Sequence, residues 1–256
     1  VSKKNQIVVK KNALYKKGIL NMQNVSIIGN TWTSMVLNKS FVAREKKVYS
    51  GCILINENIF RDLGFEYARQ RFMVENDKFV VLAGCSNDSK RKGIKYLIES
   101  INIFYDQISK CKKKNIMLLL IGDVRQDYLK QIKMNVCLAG RLTINDLVLA
   151  YSSANVYVSP SIDDAGPSMV NQSLMCGTPV VSFDIGTALD VIIDGKTGYV
   201  SPLKNSLGIA QGINNIFQLS SDEYRQMRHN CRNVSISKCS FNARFNFMSK
   251  LLLTHE

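Results

Sequence analysis

Histidine is almost absent from this sequence: the two residues, His229 and His255, lie late in the chain and in polar surroundings. A zinc site built on histidines, or a histidine-based triad inside the core, is therefore not expected. No apolar run reaches the roughly 20 residues that a membrane-spanning helix needs. The basic start of the chain is not followed by a long apolar core, so a secretory signal is not expected either.

Acidic residues are scarce in the first fifth of the chain. Residues 1–50 contain ten Lys or Arg and a single acid, Glu45, and so carry +9 of the net charge of +14. A solvated basic face is the simplest interpretation, and peripheral contact with an anionic membrane is the more specific one. No aromatic-basic motif accompanies the charge, so nucleic acid is not expected as a partner.

Cysteine pairs of the C-x-x-C kind are also missing, and the total of seven cysteines is odd. Cys52, Cys137 and Cys176 lie within apolar runs, which predicts buried thiols in a reducing compartment. We therefore expect a cytoplasmic location, with the basic segment as a candidate contact to the inner face of the membrane.

The pattern that is present is a regular alternation of apolar strands and amphipathic helices from about residue 78. Strands are predicted at 79–84, 116–122, 136–140, 156–158, 179–183 and 199–200, after a strand at 48–55. Helices are predicted at 31–40, 94–108, 125–133, 145–154 and 168–175, with a mostly helical tail from 206. The apolar stripe of the second helix comprises Ile94, Leu97, Ile98, Ile101, Tyr105 and Ile108. This alternation predicts an α/β fold, a Rossmann-like doubly wound parallel sheet.

The stretch 159–184 is the most informative part of the chain, because it is predicted as loop, helix and strand after the strand at 156–158. Pro167 suits the first turn of a helix and Gly177 suits its end. Backbone N–H groups around Gly166, Pro167, Ser168 and Met169 would then face outward at the carboxyl end of a strand. A helix N-terminus placed there is a candidate phosphate site.

At these residues the sequence resembles the group 1 retaining glycosyltransferases of the GT-B fold. Their signature runs PS-x-x-E, seven residues, E-A-x-x-C-G-x-P-V-V, and it aligns here on Cys176-Gly177-Thr178-Pro179-Val180-Val181. The two acidic positions fall on Asp164 and Gln172. The resemblance implies that Asp164 contacts hydroxyls of the donor sugar and Gln172 the nucleotide ribose. Asp164 is one methylene shorter than the family's acid, and Gln172 has no charge, which predicts weaker hydrogen bonds.

Two further segments match the family in position. Lys92-Gly93 opens a helix, and the resemblance implies that Lys92 neutralises the donor diphosphate, with Arg91 beside it and Gly84 at the end of the preceding strand. The family's usual arginine after that glycine is replaced by Cys85. Gly140 and Arg141 form the turn that lies beside the nucleotide base in the family. Gly84 and Gly93 lack the G-x-G-x-x-G spacing, which argues against a dinucleotide-binding oxidoreductase.

The resemblance implies three parts: residues 1–58 as the end of an N-terminal acceptor domain and the crossing segment, 59–240 as the donor-binding Rossmann-like domain, and 241–256 as a C-terminal helix. The implied activity is retaining, metal-independent transfer of a hexose from a UDP- or GDP-sugar to a glycan or lipid-linked acceptor, in surface polysaccharide biosynthesis. No cofactor or metal is expected beyond the donor. Because most of the acceptor domain would be missing, the isolated chain is expected to be inactive.

Two alternatives stay open at this point. A sugar-nucleotide epimerase of the same two-domain architecture would need ring-flanking acids and a histidine that the segment does not supply. A non-catalytic nucleotide-sugar-binding module is the other alternative, and the uncharged Gln172 favours it.

Overall fold

A computed structural model describes residues 14, 17–19, 27–40, 48–85 and 90–253. Its strands are β1 Ile27–Gly29, β2 Val48–Ser50, β3 Phe79–Cys85, β4 Ile116–Gly122, β5 Asn135–Gly140, β6 Val156–Ser159, β7 Val180–Phe183 and β8 Gly198–Ser201. The labelled helices are α1 Thr31–Asn38, α2 Phe65–Gln70, α3 Ile94–Gln107, α4 Lys110–Lys113, α5 Gln126–Leu129, α6 Ile144–Ser153, α7 Ser168–Met175, α8 Ala188–Val191, α9 Ser206–Phe217, α10 Ser221–Cys239 and α11 Phe241–Leu253.

Six of the strands form one parallel sheet in the order β5-β4-β3-β6-β7-β8. The order runs outward from β3 to β5 and then resumes on the other side of β3 with β6. This is the doubly wound arrangement, so the predicted fold class is confirmed. The remaining strands, β1 and β2, form a separate two-stranded parallel sheet.

The core lies on both faces of the six-stranded sheet. The side chains from Val80 to Ala83 and from Leu118 to Leu120 have no exposed surface, as expected for parallel strands covered by helices on both sides. On one face, Phe104 of α3 packs edge-on against Phe217 of α9, with ring centroids 5.7 Å apart. The buried stripe of α3 contains Phe104, whereas Tyr105 is only half-buried, so the stripe predicted from the sequence was wrong at this position.

Helix α5 is shorter than the predicted helix at 125–133. The amide of Asn102, on α3, donates to the carbonyl of Gln131 at 2.7 Å and accepts from the backbone N–H of Lys133 at 3.0 Å. These side-chain bonds take over backbone groups that a continuing helix would pair internally. A tertiary contact therefore ends the helical segment early.

Strand β2 is likewise shorter than the predicted strand at 48–55. Its partner β1 provides only three residues before Asn30 caps α1, whose first residue is Thr31. The N–H of Gly51 still bonds to the carbonyl of Gly29 at 2.7 Å, after which none of the described strands continues the ladder. Most of the basic residues in the first fifth of the chain lie outside the described residues.

Helix α11 begins at the predicted residue 241. The domain boundaries at 58 and 240 stay predictions. All seven cysteines lie in the described part and none forms a disulfide; Cys176 is buried, but Cys52 and Cys137 are only half-buried, contrary to expectation. None of the described helices combines the length and apolar content needed to span a bilayer.

Gly93 is the tightest glycine at the carboxyl ends of the strands. It caps α3 with a left-handed φ of 68°, and a Cβ built on it would lie 1.8 Å from the carbonyl oxygen of Pro160. The start of α3 and the loop after β6 can approach each other this closely only because residue 93 has no side chain.

We expect Gly93→Ala to destabilise the protein far more than Gly195→Ala. Both glycines have φ near +70°, but a Cβ on Gly195 would meet nothing within 4 Å. Gly195→Ala should therefore cost only the left-handed backbone term, about 1–2 kcal/mol. Gly93→Ala must also displace backbone and should cost more than about 4 kcal/mol. Urea unfolding of both variants measures the difference, and equal losses would contradict the close approach.

Candidate functional site

A cavity of about 180 Å³ lies at the carboxyl ends of β3, β4 and β6, where the strand order reverses. The residues that line it are Gly84, Cys85, Lys92, Ile121, Gly122, Tyr157, Ser159, Pro160, Ser161, Pro167, Ser168 and Met169. Crevices at this point of a doubly wound sheet are where ligands bind. Small-molecule sites typically measure about 300–1,000 Å³, so this cavity can enclose only part of a ligand as large as a nucleotide sugar.

Lys92 brings a positive charge to the cavity. It ends a short 3-10 turn, Lys90–Lys92, which precedes Gly93 and α3. Its Nζ lies 2.6 Å from Oδ2 of Asp164, and the two side chains are 40% and 16% exposed. An ammonium group has three donors, so this ion pair leaves Lys92 able to donate to an anion in the cavity.

The N-terminus of α7 forms the opposite side of the cavity. Pro167 is its N-cap residue and makes no side-chain capping bond, and the first-turn N–H groups of a helix have no intrahelical partners. The helix starts at Ser168 and ends at Met175, as predicted, and Gly177 follows with a φ of 75°. The helix dipole adds to the charge of Lys92 in favouring an anion here.

Hydroxyl groups line the floor of the cavity. Tyr157, Ser159 and Ser161 are all buried. Burial raises the pKa of Tyr157, although a hydrogen bond with Ser159 acts in the opposite direction. The Tyr157 hydroxyl therefore stays protonated near neutral pH and can donate a hydrogen bond.

Gly84 and Met169 meet in the lining of the cavity. A Cβ on Gly84 would lie 2.9 Å from the sulfur of Met169, so the side chain of Met169 rests directly on the backbone of β3.

Gln172 does not line the cavity, and it makes a different contact. Its Oε1 accepts a hydrogen bond of 3.0 Å from the hydroxyl of Tyr151, which lies on α6 and has no exposed surface. This bond fixes the side-chain amide and leaves its nitrogen as a donor. The proposed contact of Gln172 with a ribose stays a prediction.

Five further predicted residues do not line the cavity. Asp164 is one of them, and it contacts the lining through its ion pair with Lys92. Arg91 is exposed, and its Nη1 donates to the carbonyl of Asp163 at 3.2 Å. Arg141 is 85% exposed and pairs with Asp123 at 2.7 Å; Gly140, next to it, has a φ of 64°. Gly166 donates its N–H to Oδ1 of Asp164 at 3.2 Å. Their roles in binding stay predictions.

Most of the hydroxyl residues of the cavity were not predicted from the sequence. Ser159 ends β6, and Pro160 and Ser161 follow it directly, so the rule that selects strand ends would have found them. Tyr157 lies within β6, and no sequence pattern distinguishes it from the core. Among the described residues, no group of three or more His, Cys, Asp or Glu side chains is arranged to hold a metal ion.

A sequence profile of the family described as glycosyl transferases group 1 matches residues 67–234. This match covers more than half of the chain. The chain belongs to this family. Among curated group 1 relatives, it is 27% identical over 146 residues to the capsular polysaccharide biosynthesis glycosyltransferase CapM of Staphylococcus aureus. That alignment covers 54% of this chain and 36% of CapM, so the chain spans about a third of this relative.

Solved structures show the same fold. Sucrose-phosphate synthase of Thermosynechococcus elongatus superposes with a TM-score of 0.75 at 20% identity, covering 96% of this chain and 61% of the synthase. Anabaena Alr3699/HepE in complex with UDP-glucose gives a TM-score of 0.70 at 20% identity, covering 94% of this chain and 67% of HepE. These similarities confirm the predicted fold class, a Rossmann-like half of the GT-B architecture.

We expect Lys92→Ala to weaken binding of a nucleoside diphosphate much more than binding of the nucleoside. The lost charged hydrogen bond is worth about 1.5–3 kcal/mol, roughly a tenfold to hundredfold rise in Kd. Arg91→Ala removes the same charge one residue away, outside the cavity lining, and should change both affinities little. Isothermal titration calorimetry with UDP and uridine, and with GDP and guanosine, measures this. Equal losses for nucleotide and nucleoside in Lys92→Ala would exclude a phosphate contact.

Substitutions of Gln172 should separate its observed contact with Tyr151 from its predicted contact with the ribose. Gln172→Glu keeps an acceptor for Tyr151 and should preserve or strengthen nucleotide binding. Gln172→Leu leaves the buried Tyr151 hydroxyl without that partner, which should cost about 1–3 kcal/mol of stability and weaken binding. Tyr151→Phe is the matched control, because it removes the contact while leaving Gln172 intact. Nucleotide affinity unchanged in Gln172→Leu would show that Gln172 does not face the ribose.

Proposed function

We propose that this chain binds a nucleoside diphosphate sugar, with UDP or GDP as the nucleotide, and supports retaining transfer of a hexose to a glycan or lipid-linked acceptor. One observation carries the proposal: Lys92 and the start of α7 meet at one cavity where the strand order reverses. Membership of the group 1 family supports it. The activity in the name of CapM supports a role in surface polysaccharide biosynthesis.

The diphosphate is the part of the donor that best fits the enclosed cavity. It would accept hydrogen bonds from Lys92, from the backbone at the start of α7 and from the serine hydroxyls on the floor. As the bond between sugar and phosphate breaks, negative charge accumulates on the diphosphate. Fixed positive charge at that point stabilises the transition state more than the ground state. Lys92 and the helix dipole supply such charge, which agrees with the proposal of metal-independent transfer.

The sugar and the nucleoside would extend out of the cavity in different directions. Asp164 pairs with Lys92 and is mostly buried, and its carboxylate would accept hydrogen bonds from the sugar hydroxyls. Gln172 lies one turn into α7 and is held by Tyr151, and its amide would bond the ribose hydroxyls. Gly140 and Arg141, at the end of β5, are the candidates for contacts with the base.

A non-catalytic nucleotide-sugar-binding module is the second candidate function. The uncharged Gln172 favours it, since an amide accepts hydrogen bonds from ribose hydroxyls more weakly than a carboxylate does. Both functions predict donor binding, and only the first predicts transfer by the complete protein.

We expect residues 1–256 to bind a nucleotide sugar and to transfer it to no acceptor, because catalysis requires both reactants to be held in register. A thermal-shift panel of UDP-glucose, UDP-N-acetylglucosamine and GDP-mannose tests the first part. A ligand at a hundred times its Kd adds about 2.7 kcal/mol of apparent stability. A transfer assay on the same sample tests the second part. Lack of stabilisation by every donor would contradict the proposed function, and transfer by this chain would contradict the need for a further domain.

A further inference from the structure

The loop at residues 163–166, which carries Asp164, is held from two sides. On the side of the cavity, Arg91 donates to the carbonyl of Asp163, and Lys92 pairs with Asp164. On the other side the loop meets a part of the chain that lies before the main sheet: Asn30 donates through Nδ2 to the carbonyl of Ala165.

The orientation of the Asn30 side chain follows from its other contacts. Its Oδ1 accepts hydrogen bonds from the backbone N–H of Thr33 at 2.8 Å and from the Thr33 hydroxyl at 2.7 Å. Both of these groups are donors here, so the oxygen must face Thr33 and the nitrogen must face Ala165. Asn30 is 7% exposed, and at this burial an unpaired amide would be costly.

Two further contacts lie near this one, and only the second reaches the loop. The carboxylate of Asp190, on α8, accepts from the backbone N–H of Thr31 at 3.1 Å and from its hydroxyl at 2.5 Å. The side chain of Ile53 covers Gly166 so closely that a Cβ on Gly166 would lie 2.8 Å from Cδ1 of Ile53. The turn between β1 and α1 therefore docks against the loop through Asn30 and against α8 through Thr31.

We propose that Asn30 is a positioning residue for the donor sugar, acting through the Ala165 carbonyl on the loop that carries Asp164. The inference rests on the proposed function, because Asp164 is the residue assigned to the sugar. Lys92 binds the loop on one side and Asn30 binds it on the other, so the Asp164 carboxylate is held in one position before the ligand binds. Such preorganisation lowers the cost of binding. Asn30 itself touches neither the cavity nor Lys92.

The substitution Asn30→Asp separates this role from helix capping. Aspartate still accepts from Thr33, and its charge is favourable at a helix N-terminus. It cannot donate to Ala165, and its carboxylate repels that carbonyl. We expect Asn30→Asp to weaken binding of UDP-glucose or GDP-mannose about tenfold while leaving UDP or GDP within about twofold, as measured by calorimetry. Thr33→Val is the matched control: it loses the hydroxyl bond to Asn30 Oδ1 but spares the bond to Ala165, and should bind normally.

Two readouts distinguish positioning from a general loss of structure. In a double-mutant cycle, Asn30→Asp should add little to Asp164→Asn for nucleotide-sugar binding, because both act through the same carboxylate. In the ligand-free protein, Asn30→Asp should speed amide hydrogen exchange at Gly166, and Thr33→Val should not. Additive effects in the cycle, or unchanged exchange in Asn30→Asp, would overturn the inference whatever ligand binds. A wild-type chain that binds no nucleotide sugar would instead contradict the proposed function.

Discussion

The strand order reverses between β3 and β6, and this reversal fixes where the chain can hold a ligand. The connections from β3 and from β6 leave the sheet in different directions, so a crevice opens at their carboxyl ends. The crevice is narrow because two glycines permit close backbone contacts. A Cβ on Gly93 would meet the carbonyl of Pro160, and one on Gly122 would lie 2.2 Å from the carbonyl of Cys85. The cavity that results is sized for phosphate groups rather than for a whole nucleotide sugar.

Local sequence signals were sufficient for the central elements of this sheet. β4 and α7 have the predicted boundaries. A continuous apolar run specifies the buried strand β4, and the proline before α7 and the glycine after it specify the ends of that helix. Prediction was wrong where distant residues decide the outcome. The end of α5 depends on Asn102, thirty residues away in α3, and the end of β2 depends on how far its partner β1 extends. Neither constraint leaves a periodic pattern in the sequence.

Some residues of the candidate site could likewise be predicted from the sequence, and others could not. The start of α7 could be predicted from the sequence because a helix start after a strand is a candidate phosphate site. Lys92 was assigned from the resemblance to the family. The role of Tyr151 could not be predicted, since its hydroxyl reaches Gln172 only through the packing of α6 against α7. Asn30 was also beyond sequence reasoning, because its contact spans 135 positions along the chain. The sequence predicts which strand ends and helix starts meet, whereas the pairing of side chains depends on how the elements pack.

Under the proposed function, the pairing of Lys92 with Asp164 would reduce an electrostatic repulsion at the site. A carboxylate placed for the sugar would also lie close to the diphosphate, and two like charges 4 Å apart repel by about 4 kcal/mol at an effective dielectric constant of 20. Lys92 lines the cavity and also touches Asp164 at 2.6 Å, so under the proposed function it would stand between the acid and the phosphates. Its charge would offset that repulsion, and its bond orients the carboxylate. The position of the carboxylate then depends on the loop at 163–166, which Arg91 and Lys92 hold on one side and Asn30 holds on the other.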